Sequence, residues 1–440
     1  MVNSFNTLLV NNNINIKLKI YKGELMNKYL QLANLIETVV KNDYSGCLDK
    51  KEVIDDHQLT LKENSTRSDF YETASAYLRL FKDRHLQLLD NSAETFSNGF
   101  TARRYENHLV VTDVFQKIEL EVGDVITHLN GMKIKDIEAK YSSYFFSDDK
   151  NRQQWGSIIK QHQSLTYVRA GITKSYELEK FPPVNVESNY EFKYTRSVPT
   201  FVFTDFNNEQ AIETLVREHQ NEILASDQLI IDVRYNAGGS DLSYFPLLPL
   251  IFNQSIPLSK LNDETMSVLY SKRNCDLRIE MFNEYLKSMK NPPQELKDYI
   301  ENELKLYREN YGKGFITNEP DKTFDFLIQG GAKPKNVYIL TDQYCGSSGD
   351  SFVRLAKQSP KVTVVGRNTM GVLDYSNVAF LELDDHFTLM YPTSRMNYLD
   401  KGLGIDNIGI APDVYVEWTP KHLAEDLDLQ KVFELIKNNK

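Results

Sequence analysis

The chain has 440 residues, 41% of them hydrophobic and 25% charged, and its formal net charge at pH 7 is −10. This length suggests about two to four domains, with enough apolar residues for a large core. The acidic balance and the lack of a long Lys/Arg run argue against nucleic acid or an anionic membrane as the main partner, and no segment approaches the ~18 apolar residues of a membrane span.

The cysteine content and the N-terminal residues indicate a reducing compartment. Cys47, Cys275 and Cys345 are odd in number, widely separated and not spaced as zinc ligands. The first residues lack the charged, apolar and small-residue regions of a secretion signal, so we expect a cytoplasmic protein. The run Lys22-Gly23-Glu24-Leu25 could be encoded by a purine-rich ribosome-binding sequence. We therefore expect residues 1–25 to be a non-native or disordered extension, with Met26 as the natural start.

Helical spacing of apolar residues begins at Met26. A second helical run has its apolar positions at Phe70, Ala74, Tyr77, Leu78 and Phe81. This run ends at the polar sequence Lys82-Asp83-Arg84-His85. The pattern predicts an N-terminal helical lobe over residues 26–100 that carries His85 near the end of a helix.

Short strands replace the helices over residues 101–185. The clearest phrase runs from Gly123 to Ile137 and contains Asn130-Gly131, a strong signal for a type I′ hairpin turn. This phrase resembles the strand pair of PDZ domains, which bind peptide ends by strand addition. No good carboxylate-binding loop is present near Tyr105, so peptide capture stays open beside the alternative of a purely structural β lobe.

Strands and helices alternate after the linker at Pro182-Pro183. Residues 186–253 contain the apolar strand Leu229-Ile230-Ile231-Asp232-Val233, and residues 335–440 contain two further strands with a helix between them. This alternation predicts a layered α/β core. Residues 254–334 interrupt the core with charged, helically spaced sequence. We interpret them as a helical insertion that is either a lid or a solvated decoration.

Two polar turns follow the apolar strands of this predicted core. Gly238 and Gly239 let the backbone come close to a ligand, although glycine pairs are also common in ordinary turns. Ser347 and Ser348 lie between an apolar strand and an amphipathic helix. A serine there gains unpaired N–H groups and a partial positive charge that favour a developing oxyanion, but helix capping alone would explain it as well.

Four runs follow one another over residues 199–416: Asp232-Val233-Arg234-Tyr235-Asn236-Ala237-Gly238-Gly239, Ser347-Ser348-Gly349-Asp350, Val364-Val365-Gly366-Arg367-Asn368-Thr369-Met370-Gly371 and Gly409-Ile410-Ala411-Pro412-Asp413-Val414. They resemble four signatures of the serine peptidase family that contains C-terminal (tail-specific) processing peptidases and the tricorn core protease. The resemblance implies a crotonase-like (ClpP/crotonase superhelix) core over residues 186–253 and 335–440, with Ser347 as the nucleophile.

One position departs from the family pattern. Processing peptidases activate the serine with a lysine just after the third signature, where this chain has Val372. Tricorn-like members use a histidine from an N-terminal lobe, and the sequence Leu80 to His85 resembles their L-x-D-x-H. The resemblance therefore implies His85 as general base, the alternative being an ordinary histidine at a helix C-terminus. It also implies Asp406, one methylene shorter than the family's Glu, as an acid that orients the site or positions water.

The resemblance implies a serine-type peptidase that cleaves peptides or unfolded protein through an acyl-enzyme on Ser347. The oxyanion would be held by the N–H of Ser348 and that of Gly238 or Gly239. No metal and no organic cofactor is required. Relatives often assemble, so a homo-oligomer is an open expectation. Two alternatives also stay open: a peptide-binding scaffold of the same fold whose site has lapsed, and Cys345 as the nucleophile.

Overall fold

The structure, a computed structural model, describes residues 27–184, 187–261, 265–289, 292, 294–318 and 326–438. The expectation for residues 1–25 lies outside this part of the chain. Within it, the strands form three large sheets and one two-stranded ribbon. No helix of this part is both long and apolar enough to cross a membrane.

The N-terminal lobe contains three helices: α1 (Lys28–Asn42), α2 (Lys51–Asp56) and α3 (Arg67–Arg79). α3 begins with a capping box, in which Thr66 Oγ1 accepts the Asp69 N–H and the Asp69 carboxylate accepts the Thr66 N–H. The apolar faces of α1 and α3 pack together in one buried cluster. Past α3 the chain turns through His85 into strand β1 (Gln87–Asp90). The last part of the predicted helical lobe therefore contributes a strand.

The β lobe is an antiparallel sheet with short helices in one of its connections. Its strands are β2 (Phe100–Tyr105), β3 (His108–Val114), β4 (Val125–Leu129), β5 (Met132–Lys133), β6 (Ser164–Arg169) and β7 (Ile172–Glu177). The strand order is β2-β3-β4-β6-β7, with β5 on β4. Its helices are α4 (Ile134–Lys140) and α5 (Gly156–Ile159). Asn130 and Gly131 have φ of 47° and 76°, as a type I′ turn requires.

The first part of the core supplies one hairpin, one further strand and three helices. These are β8 (Tyr190–Thr195), β9 (Val198–Phe203), α6 (Glu209–Glu218), α7 (Gln220–Ala225), β10 (Gln228–Asp232) and α8 (Leu248–Ile251). Leu229, Ile230 and Ile231 of β10 are fully buried. A strand buried on both faces is typical of a parallel sheet covered by helices.

The insertion at residues 254–334 is not helical throughout. Its described part contains β11 (Ile256–Pro257), β12 (Met266–Tyr270), α9 (Lys272–Ser288), α10 (Gln294–Glu309), β13 (Gly314–Asn318) and β14 (Leu327–Ile328). The helix pair lies within the helically spaced sequence. The strands were missed because short apolar runs such as β12 show no helical or alternating period of their own and form by pairing with remote strands.

The second part of the core completes both large core sheets. It contains β15 (Asn336–Thr341), α11 (Ser348–Ala356), β16 (Val362–Gly366), β17 (Tyr375–Glu382), β18 (Phe387–Met396), β19 (Val414–Tyr415) and α12 (Leu427–Asn438). One sheet has the order β19-β16-β15-β10-β9-β8 and is parallel except for β8. In the other, β18 pairs antiparallel with β17, β1 and β12. Strand β18 thus pairs with strands of both the N-terminal lobe and the insertion.

Candidate active site

The two polar turns predicted from the sequence lie side by side at the carboxyl ends of β10 and β15, which are parallel neighbours. Asn236 O accepts the Gly346 N–H at 2.9 Å and joins the two turns. A Cβ on Gly238 would lie 2.6 Å from Ser347 Cβ and 3.2 Å from Ser347 Oγ. The Gly238 backbone therefore lies directly against the Ser347 side chain, and only glycine leaves room for this approach.

Ser347 is half-buried at the N-terminus of α11. Its backbone has φ 55° and ψ −120°. A positive φ is uncommon for a residue with a side chain and persists where the surrounding structure fixes it. The turn places the Ser347 hydroxyl at the positive end of a helix dipole, an arrangement that suits a nucleophile.

Asp350 fixes the Ser347 turn to the third sequence signature. Its Oδ2 accepts the Ser347 N–H at 2.9 Å and the Val372 N–H at 3.0 Å, and its Oδ1 accepts the Gly371 N–H at 3.0 Å. Burial raises the pKa of the Asp350 carboxyl, and these hydrogen bonds oppose the rise. Val372 stands where processing peptidases carry lysine, and here it acts through its backbone while its side chain is buried.

The N–H groups predicted for an oxyanion hole are not equally available. The Gly238 N–H already donates to Asn236 Oδ1 at 3.0 Å. For Gly239 and Ser348, no hydrogen-bond acceptor of the N–H is found among the residues that the structure describes. The Ser348 hydroxyl donates to Gly239 O at 2.6 Å and holds these two backbones together. The Gly239 N–H is therefore the better candidate for the second oxyanion donor, because the Gly238 N–H would first have to break its hydrogen bond to Asn236.

His85 lies half-buried in the turn between α3 and β1. Its Nδ1 lies 2.8 Å from Tyr375 O. Because a carbonyl only accepts, Nδ1 carries the proton and Nε2 keeps a free lone pair. His85 is bonded to Tyr375, and Asp350 links the Ser347 turn to Gly371. The short segment from Gly371 to Tyr375 spans at most about 14 Å when extended, so these two points of attachment lie no further apart than that. Between the two side chains themselves, both in the described part, there is no hydrogen bond.

Asp406 lies beside the His85 turn but bonds elsewhere. Its Oδ1 accepts the Leu373 N–H at 3.3 Å and the Asp374 N–H at 3.1 Å. Its own N–H donates to Asp374 Oδ2 at 3.0 Å. Asn407 donates through its side-chain amide to the carbonyl at the start of the His85 turn. Within the described ranges no hydrogen bond joins Asp406 to His85, so the contacts of Asp406 hold the 373–374 backbone.

The charge state of Asp406 leads to a prediction about stability. Burial raises the pKa of Asp406 well above its ordinary value, and the charges of Asp374 and Asp83 add to the rise. A carboxyl with a raised folded-state pKa penalises the fold once it ionises, so the penalty grows as the pH rises above about 4. Asp406→Asn keeps an oxygen acceptor without the charge. In urea titrations, we expect the unfolding free energy of this variant, relative to that of the wild type, to be higher at pH 8 than at pH 5.

The control for this measurement is Asp56→Asn, at the exposed end of α2. This change removes one negative charge from a solvated position, so its effect on the unfolding free energy should differ little between the two pH values. A difference between Asp406→Asn and the wild type that is equal at pH 5 and pH 8 would contradict the prediction.

The β lobe reaches the same loops through Arg152, which sequence reasoning missed. Its guanidinium donates to the carbonyls of Thr369 at 2.7 Å, Met370 at 3.0 Å, Asn368 at 3.1 Å and Asn407 at 3.3 Å. A planar guanidinium bonded in this way restrains both loops at once. No local signal marks Arg152 in the sequence, because its partners lie 216 or more positions away.

Buried ion pairs fix the strand ends beneath the site. Arg103 of β2 binds Asp342 at 2.7 and 3.1 Å, and Arg367 binds the same carboxylate at 2.9 Å. Burial would raise the pKa of Asp342, but the charges of Arg103 and Arg367 outweigh it and lower the pKa. In the first signature, Arg234 pairs with Asp232 at 2.7 Å. These contacts account for Asp232, Arg234 and Arg367, charged residues of the signatures that lie away from the nucleophile.

Cys345 is fully buried, and burial raises the pKa of its thiol well above the ordinary value. A neutral thiol without access to solvent is a poor nucleophile, so these observations argue against the cysteine alternative. Across the described residues, no group of three or more His, Cys, Asp or Glu side chains is arranged to hold a metal ion.

Comparison with known proteins agrees with the sequence signatures. Residues 198–416 match the sequence profile of Peptidase family S41. The chain is 33% identical over 99 residues to a tricorn-like protease C-terminal subunit of Sulfurisphaera tokodaii and 30% identical over 99 residues to a tricorn protease homolog of Saccharolobus solfataricus. These matches cover 22% of this chain and only 12% and 9% of the two relatives.

The fold as a whole is similar to a solved structure of mature CPAF in complex with lactacystin. The TM-score is 0.67 at 14% sequence identity, and the match covers 94% of this chain and 99% of that one. At this identity the likeness establishes a shared mixed α/β fold. With the profile match over the two polar turns and the loops around them, it leads to one conclusion: the segment 198–416 of this chain belongs to Peptidase family S41.

Proposed function

We propose that this protein is a serine-type peptidase of the tricorn-like kind, with Ser347 as nucleophile and His85 as general base. The observation that carries the proposal is the convergence on Ser347 of segments that are remote in sequence. Gly238 lies against its side chain, Asp350 holds its N–H, and the His85 turn is bonded to the loop that Asp350 also binds. An ordinary helix cap accounts for the Asp350 contact but not for the other two.

In the first proposed step, Ser347 Oγ attacks the carbonyl carbon of a peptide bond while its proton passes to His85 Nε2. The tetrahedral intermediate collapses when His85 gives that proton to the leaving amine. Water then attacks the acyl-enzyme with His85 again as base, which releases the acid and restores Ser347. The bond from Nδ1 to Tyr375 O supports this role, because it keeps the lone pair on Nε2.

The developing oxyanion is assigned to the N–H groups of Ser348 and Gly239. The availability of both donors supports the assignment, as does the Ser348 hydroxyl that fixes the Gly239 carbonyl. A donor of this kind contributes about 10²–10³ in rate. Asp406 acts in this scheme by holding the backbone between Ser347 and His85 rather than by touching the imidazole.

The same proposal covers the architecture and the substrate. The parallel sheet with its site at the strands' carboxyl ends supports a crotonase-like core, and the antiparallel sheet of the β lobe supports a PDZ-like module. Peptides or unfolded protein are the substrate class that fits.

The lapsed-scaffold alternative is not favoured, because the serine, the histidine tautomer and the oxyanion donors are all in forms that chemistry can use. A homo-oligomer is a separate proposal, tested by light scattering.

The experiment that tests the function is covalent labelling. A small fluorophosphonate should modify the full chain once, and tandem mass spectrometry should locate the adduct on Ser347. The same preparation should cleave members of a mixed peptide library. A chain that is folded by circular dichroism, takes up no label and cleaves no peptide would reject the proposal.

A further inference from the structure

Asp83 is a buried acid that joins the His85 turn to the interior of the N-terminal lobe. Only 1% of its surface is exposed. Its Oδ1 accepts the His85 N–H at 2.8 Å, and its Oδ2 accepts the Tyr44 hydroxyl at 2.9 Å. Tyr44 is itself fully buried and packs against Phe81 and Tyr375. The carboxyl therefore fixes the backbone of His85 against a rigid aromatic cluster.

No salt bridge cancels the charge of Asp83. Within the described residues, no side-chain nitrogen of a Lys, Arg or His lies within 4.0 Å of this carboxylate. Burying a carboxylate without a paired cation is costly, so the group needs a compensating interaction. Burial raises the pKa of Asp83, and the largest opposing influence is the charge of His85. The hydrogen bonds from the His85 N–H and from Tyr44 act in the same direction.

Both carboxylate oxygens of Asp83 accept a hydrogen bond, which favours the ionised form of this acid. Burial raises the pKa of the neighbouring Asp406 well above its ordinary value, with Asp374 and Asp83 adding to the rise. Further charged or titratable groups act on Asp83 or Asp406 or feel their charge. They come from both the N-terminal lobe and the core: Lys50, Arg84, Tyr44, Tyr375 and Tyr398. Burial raises the pKa of all three tyrosines, which keeps them neutral.

We propose that Asp83 is a positioning residue of the acid–base machinery: it fixes the His85 backbone and supplies the negative charge that favours the imidazolium formed when Ser347 gives up its proton. This inference rests on the proposed function. The imidazole ring of His85 is bonded to Tyr375 O and not to Asp83, so the Asp83 charge acts on the ring through space. Asp83 thereby gains a role in the acid–base chemistry, while Asp406, which the resemblance gave as an acid that orients the site or positions water, keeps the neighbouring loop in place.

The test is the pH dependence of the fluorophosphonate reaction in Asp83→Asn. The amide oxygen can still accept the His85 N–H, so the change removes mainly the charge. Without that charge the imidazolium is less stable and the base is free at lower pH. We expect the acid limb of the rate profile to move down by about 0.5–1 pH unit. A residue that only supported the fold would lower the rate at every pH and leave the limb in place.

Two further variants complete the design. Asp49→Asn removes a carboxylate of the same lobe that is already paired with Arg395 at 2.9 Å, so its acid limb should move less than that of Asp83→Asn. Asp83→Ser offers a second uncharged acceptor if the asparagine variant fails to fold. A folded Asp83→Asn or Asp83→Ser with the limb at the wild-type pH overturns the inference. A wild-type chain that takes up no label overturns the proposed function instead.

Discussion

Replacing Ser347 with alanine is expected to lower kcat for peptide hydrolysis by about 10⁴- to 10⁶-fold and to abolish fluorophosphonate labelling. The variant loses one hydroxyl and keeps the backbone bond from Ser347 N–H to Asp350. The fold and the melting temperature should therefore change little. Turnover of a fluorogenic peptide selected from the library, measured beside a thermal scan, checks both parts of the prediction.

The matched control is Ser157→Ala, an exposed serine in α5 of the β lobe. It should keep the kcat and the labelling of the wild type. Turnover that persists in purified Ser347→Ala protein would reject the nucleophile. If that residual turnover were lost on treatment with iodoacetamide, the thiol of Cys345 would return as a candidate despite its burial.

Replacing His85 with alanine is expected to lower kcat/KM by at least about 10³-fold. The Ser347 hydroxyl then has no imidazole to accept its proton, so the acid limb of the pH profile should disappear along with the rate. The lost bond to Tyr375 O is worth only about 1 kcal/mol, so the chain should stay folded. Initial rates measured from pH 5 to pH 9 on the same peptide test this expectation.

His57→Ala is the control for the His85 variant. His57 is an exposed histidine of the same lobe, just past α2, and its loss should leave both the rate and the acid limb as they are. A His85→Ala protein that retained a wild-type acid limb would place the base on another residue. That result would leave the assignment of Ser347 intact, because the two variants report on different groups.

The elements nearest the nucleophile could be predicted from sequence because their information is local. Two apolar runs are bounded by polar turns, Leu229 to Ile231 and Val337 to Leu340. A strand that is buried on both faces requires such a continuous apolar run. The glycine at position 238 is forced by its contact with Ser347. The Asp350 contact could also have been read from the capping spacing between Ser347 and Asp350.

The supporting contacts could not be predicted, because they depend on which distant segments pack together. Arg152 looks like an ordinary surface arginine until the β lobe places it on loops from the other end of the chain. The strand at 266–270 forms by pairing with β13 on one side and with β18 on the other. Asp83 lay inside the signature around His85, but its value comes from burial beside Tyr44, which no spacing reveals.

The bond between His85 and Tyr375 spans 290 positions, and the N-terminal lobe is joined to strand β18. During synthesis on the ribosome, the imidazole is therefore made long before the hydroxyl and the loop that must hold it. A nascent or truncated chain that ends before β17 contains the base without its anchor. The order of the segments thus delays assembly of the full set of groups until nearly the whole polypeptide has emerged.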